Sequence, residues 1–74
     1  SDKLIEGFTV IDKTIGEIGI VDFVNTQTAQ KLIKVKRNKR EEFFIPFHEN
    51  FIIDIDTEKD ILTVNIPEEL ININ

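Results

Sequence analysis

Apolar and polar positions alternate along this chain in short bursts separated by turn residues. FTVIDK (residues 8–13) sets Phe8 and Val10 against Thr9 and Ile11, and TIGEIG then brings Gly16 and Gly19 into a turn and a strand start. That is the grammar of a β-hairpin. EIGIVDFVN (17–25) places Ile18 and Ile20 on one face and Val21 and Phe23 on the other, interrupted by Gly19. A strand apolar on both faces predicts a curled sheet, and a glycine within it is where such a strand can bend. KLIKVKR (31–37), EEFFIPF (41–47), FIIDID (51–56) and ILTVNI (61–66) complete the set, with Pro46 closing its strand because it cannot donate to a ladder. In the tail, Pro67 followed by Glu68 and Glu69 predicts a short helical turn.

Six short strands with a turn about every ten residues predict an all-β fold, a small antiparallel barrel or sandwich. The predicted core is Val10, Ile18, Ile20, Ile33, Val35, Ile45, Ile53, Ile55 and Val64. Asp54 and Asp56 fall on the solvent face opposite Ile53 and Ile55. Composition agrees, since the 41% apolar fraction is carried by Ile, Val and Phe, which favour pleated, half-buried surfaces. At 74 residues the chain is expected to be one domain, residues 1–74, with a thin core margin. No linker, repeat or low-complexity segment divides it.

Cysteine is absent, so there is neither a disulfide framework nor a thiolate nucleophile, and a reducing cytoplasm is the expected setting. No apolar run approaches the roughly 20 residues of a bilayer span and no charged-then-apolar leader opens the sequence, so no membrane association is expected. The net charge of −5 argues against the chain as a whole binding nucleic acid. Its distribution is uneven, however. Lys31, Lys34, Lys36, Arg37, Lys39 and Arg40 are six of the nine basic residues, gathered in ten positions. On a strand Lys34 and Lys36 share a face beside a basic hairpin tip, an arrangement able to grip phosphate; no aromatic lies between them in sequence to stack a base, and edge lysines also block sheet aggregation.

Catalytic and metal chemistry find little to stand on. His48 and Glu49 form an acid/base pair on paper, but no cysteine is present and the only serine is Ser1, so His48 has nothing to activate beyond scattered threonines. One histidine does not supply a zinc site. The ladder Asp54, Asp56, Glu58, Asp60 imitates a calcium loop, yet Lys59 and Asn65 stand where that loop needs Gly and Glu. Gly16 and Gly19 match no phosphate-loop spacing. No cofactor is expected.

Taken together, LIEGFTVIDKTIGEIGIV, EEFFIPFHENFIIDID and ILTVNIPEEL resemble the PRC-barrel domain that forms the C-terminal half of the RimM family of ribosome maturation factors. The residues that carry the resemblance are Leu4, Ile5, Gly7, Val10 and Asp12, then Gly16, Ile18, Gly19 and Val21. They continue through Glu42, Ile45 and Pro46, then Ile55 and Asp56, and end at Pro67, Glu68 and Leu70. The sequence departs in an extra Glu6 before Gly7, in Glu69 where the family carries glycine, and in lacking the paired aromatics ahead of the Leu-Ile-Gly run.

The resemblance implies a PRC-barrel with a short C-terminal helical turn, the C-terminal half of a two-domain, non-enzymatic, cytoplasmic factor for small-subunit maturation. It implies as partners the 30S subunit and the small-subunit ribosomal protein numbered nineteen, with weak or no direct RNA binding. Phe8 and Phe47, as exposed apolar residues, and Asp54 and Asp56, as an acidic rim, are the expected contacts. Lys34, Lys36, Arg37, Lys39 and Arg40 are the alternative, an RNA-contacting surface. A stand-alone PRC-barrel adaptor similar to the photosynthetic reaction-centre subunit is the second alternative, and a hydrolase built on His48 and Glu49 a remote third.

Overall fold

The computed structural model describes residues 2–71, and in it every alternating burst is a strand. These are β1 (Thr9–Asp12), β2 (Gly16–Asn25), β3 (Leu32–Lys36), β4 (Glu42–Pro46), β5 (Ile52–Asp56) and β6 (Ile61–Val64). A 3-10 turn at Glu68–Leu70, preceded by extended Pro67, occupies the predicted place in the tail. A second 3-10 turn, at Asp2–Ile5, was not signalled by the sequence pattern.

All six strands belong to one sheet in the order β4-β3-β2-β1-β6-β5. Four neighbouring pairs are antiparallel, while β1 and β6, the first and last strands, run parallel. The edge strands β4 and β5 are consecutive in the chain and joined only by residues 47–51. A flat sheet would hold those edges about 24 Å apart, whereas the connection reaches about 20 Å even at full stretch. The sheet therefore curls into an open, barrel-like shape, with no ladder between β4 and β5.

The concave side holds the core. Val10, Ile18, Val21, Ile33, Val35, Phe43, Ile45, Leu62 and Val64 point into it, and Ile5, Phe8, Ile66 and Ile71 close it from the chain ends. Three residues expected inside are not: Ile20 is 50% exposed, Ile53 51% and Ile55 37%. Bulges are the reason for the first two. In β2, Val10 faces Gly19 and Ile11 faces Glu17, which leaves Ile18 as an extra residue. Asp22 is likewise extra between the pairs Val21 with Val35 and Phe23 with Lys34. Each extra residue shifts the alternation by one, so Ile18 and Val21 both turn inward and Ile20 turns out. Ile53 is the extra residue of β5, between the pairs Ile52 with Val64 and Asp54 with Thr63. Ile55 lies opposite buried Leu62, but on an edge strand with a neighbour on one side only.

Gly19 marks the tightest point of the curl. Its φ is +153°, and a Cβ there would lie 2.6 Å from the Lys36 carbonyl oxygen and 2.7 Å from Val35 Cγ1. The first obstacle is backbone of the neighbouring strand, which cannot swing away as the end of a flexible side chain would, and the second is a methyl of the buried Val35.

Among the described residues one buried group is charged. Asp12, 1% exposed at the end of β1, accepts the N–H groups of Thr14 (2.8 Å) and Ile15 (3.0 Å) on Oδ2 and of Ile66 (2.9 Å) on Oδ1. The carboxylate thus shapes the β1–β2 turn and holds the segment after β6. Burial pushes its pKa up, but the three backbone donors, Ile66, Ile15 and Thr14, more than offset this and hold it below the ordinary 3.8.

Three outcomes follow for stability. Asp12→Ala strands three N–H donors and should cost about 2–4 kcal/mol, a large share of the roughly 5–10 kcal/mol of a domain this size; urea unfolding measures it. Because the folded-state pKa of Asp12 is depressed, its contribution is present above the unfolded-state value and fades as pH falls below about 4. Asp12→Asn should flatten that part of the stability–pH curve, and an unchanged acid limb would refute the assignment. Gly19→Ala forces a side chain against the β3 backbone and should cost at least ~2 kcal/mol, read as a lowered melting temperature.

Candidate functional site

Two outward faces of the curled sheet carry chemistry. The first is the free edge at β5. Here the bulge exposes Ile53 beside Asp54, and Ile55 follows, so apolar and acidic side chains alternate along an unpaired strand edge. Asp54 is exposed as expected. Asp56 is half-buried and engaged, its Oδ1 accepting the N–H groups of Glu58 and Lys59 (both 3.0 Å) and so capping the turn into β6.

The two expected apolar contacts sit elsewhere. Phe8 is 5% exposed, part of the core, with its backbone held by Ile5 and Val21; the alternation before β1 turns it inward, so it offers no surface. Phe47 is half-buried and packs against the core, and its carbonyl accepts a hydrogen bond from Gln30 Nε2 (3.3 Å). Strand β5 therefore supplies Asp54 itself and, in Ile53 and Ile55, the apolar partners that simple alternation had assigned to the core.

The second face is the convex side of β2, β3 and β4. Register sets its pattern as rows across three strands: Ile20, Lys36 and Glu42 in one, Phe23, Lys34 and Phe44 in the next. Phe23 (39% exposed) and Phe44 (41%) therefore flank Lys34, although no aromatic lies among the basic residues in sequence. Lys34 is already engaged, with Nζ 3.2 Å from Glu42, 3.6 Å from Asp22 and 5.3 Å from the centre of the Phe23 ring. Lys36, Arg37, Lys39 and Arg40 form no ion pair among the described residues. They surround the β3–β4 hairpin, whose tip is braced by Asn38: Oδ1 accepts the N–H groups of Arg40 (2.8 Å) and Glu41 (3.0 Å), and the amide donates to the Glu41 carboxylate. An open groove of about 360 Å³ lies between Ile20, Asp22, Lys36, Arg37 and Lys39.

His48 is exposed in the β4–β5 connection. Its Nδ1 accepts the Asn50 N–H (3.0 Å), and its carbonyl accepts those of Phe51 (2.9 Å) and Ile52 (3.0 Å). It serves the turn. Among the described residues no three His, Asp or Glu side chains gather as metal ligands.

Comparison with known proteins follows the same lines as the fold. The family model for the RimM PRC barrel domain matches residues 2–70. The ribosome maturation factor RimM of Bacteroides thetaiotaomicron is 40% identical over 67 residues, 90% of this chain and 37% of that protein. The one from Thermosipho africanus is 36% identical over 66 residues, 89% of this chain and 37% of its relative. The chain thus spans little more than a third of the length of these curated relatives. A crystal structure of a candidate 16S ribosomal RNA processing protein, RimM, from Pseudomonas aeruginosa superposes with a TM-score of 0.83 at 20% identity, covering 93% of this chain and 44% of that one.

Proposed function

The chain belongs to the RimM PRC barrel domain family, and from that premise we propose that it is the C-terminal domain of a two-domain factor for maturation of the small ribosomal subunit. Its work there is binding, in the cytoplasm, without catalysis. The engagement of His48 in a turn supports a binding role over a hydrolytic one. The partner is a basic protein of the subunit's head, the ribosomal protein numbered nineteen, on the assembling 30S particle.

The observation that carries the contact is the β5 edge. Ile53 and Ile55 are large apolar side chains exposed on an edge strand, with Asp54 between them. Removing such surface from water contributes about 25 cal/mol per Å². The adjoining carboxylates, in a chain of net charge −5, steer a basic partner onto it. Phe8 and Phe47 contribute by shaping the core beneath the surface.

Co-sedimentation with 30S subunits and calorimetry against the purified ribosomal protein test this. Asp54→Lys should slow association several-fold, an effect that fades as salt shortens the screening length from about 8 Å at physiological ionic strength. Ile53→Ala with Ile55→Ala should weaken binding about tenfold or more, with a smaller fall in melting temperature than a fully buried pair would give, since both side chains are partly exposed. Unaltered association in both variants would remove the contact from β5, and no association of the parent chain would remove the function.

A further inference from the structure

The β5 edge leaves the convex face of β2, β3 and β4 without a use. Four cations there, Lys36, Arg37, Lys39 and Arg40, have no carboxylate partner among the described residues, in a chain with 14 acidic residues against 9 basic ones. Where acids outnumber bases, clustered cations left unpaired do nothing for the fold that ordinary surface pairing would do better. Asn38 moreover braces the turn that presents them, so they form a preset patch. Beside it lie two exposed phenyl rings, Phe23 and Phe44, in register across β3 and hence about 10 Å apart.

We propose that this face is a binding platform for single-stranded RNA, with Phe23 and Phe44 each stacking a base and the cations of the β3–β4 hairpin gripping the phosphates. The chemistry divides cleanly between the two groups. Aromatic faces accept any unpaired base, and a cationic groove alongside them tracks the backbone. Asp22 and Glu42 flank the ammonium of Lys34, and this face with its hairpin still carries five cations, Lys34, Lys36, Arg37, Lys39 and Arg40, against three carboxylates, Asp22, Glu41 and Glu42. Lys34 in turn sits over one face of Phe23 and helps fix the ring's orientation. An acidic peptide would satisfy the cations but would leave the flat rings without a flat partner. A duplex would hide its bases from them.

The choice of RNA over DNA rests on the proposed role in small-subunit maturation; the rest stands on this face alone. The two are separable, since one is read with 30S particles and β5 variants and the other with isolated oligonucleotides.

The test is fluorescence anisotropy of the 74-residue chain with a labelled 12-nucleotide oligouridylate, beside an abasic oligomer of the same length, a duplex RNA and polyglutamate. Binding to the oligouridylate should exceed binding to the other three, with log affinity falling against log salt at a slope of about −3 for four phosphate contacts. Phe23→Ala and Phe44→Ala should each weaken it roughly tenfold while leaving abasic binding unchanged. Lys36→Glu with Lys39→Glu should abolish both. All four substitutions lie on exposed side chains, and melting curves will verify that the variants fold. Equal binding to abasic oligomer or polyglutamate, or indifference to both phenylalanine changes, would overturn the proposal, as would failure of the parent chain to bind the oligouridylate.

Discussion

The architecture turns on one short connection. Because β4 and β5 follow each other in the chain yet lie at opposite ends of the sheet order, residues 47–51 must bring the two edges together, and a flat six-stranded sheet is geometrically excluded. The other unusual features answer to that requirement. β2, the longest strand, carries two bulges that let it bend, and Gly19 sits where β3 comes too close for any side chain. Curling in turn gives a concave side narrow enough for Ile, Val and Phe from five strands to fill.

Position and type of every strand were legible from alternation and turn residues, and the ends agree to within a residue or two. Reading the faces was harder. Period-two alternation is reliable only while pairing proceeds one residue for one, and a bulge breaks that count without leaving a mark of its own in the sequence. Ile18 and Val21 are an odd number of residues apart yet share the core, and Ile53 is turned out although it looks like any other strand isoleucine. Gly19 did flag the irregularity in β2. Nothing comparable flags β5. The same limit hid the neighbours of Lys34, since cross-strand register, which no local window contains, sets Phe23 and Phe44 beside it. The helical turn at Glu68–Leu70 was legible because proline and paired acids mark a helix start directly.

Charge is unevenly spread over the surface. Acids gather along β5 and the turn after it, while the unpaired bases surround the β3–β4 hairpin. β3 and β5 are separated by three strands in the sheet order, although the curl brings the β4 edge back toward β5. A net charge of −5 averages over that division and describes neither part.

The parallel pairing of β1 with β6 has a consequence for how the chain comes into being. A ribosome releases these strands in order, but β6, the last of them to be made, is an interior strand that pairs with β1, the first. Until residues 61–66 have emerged, the side of β1 that β6 will cover presents open backbone, and the Asp12 carboxylate lacks the Ile66 N–H. The nascent chain can form the β2–β3–β4 meander early, since its contacts are local, but it cannot close its core. Commitment to the native state thus waits for residues 61–66, and a chain cut before them leaves β1 as an open strand edge, the kind of edge that recruits other chains into aggregates.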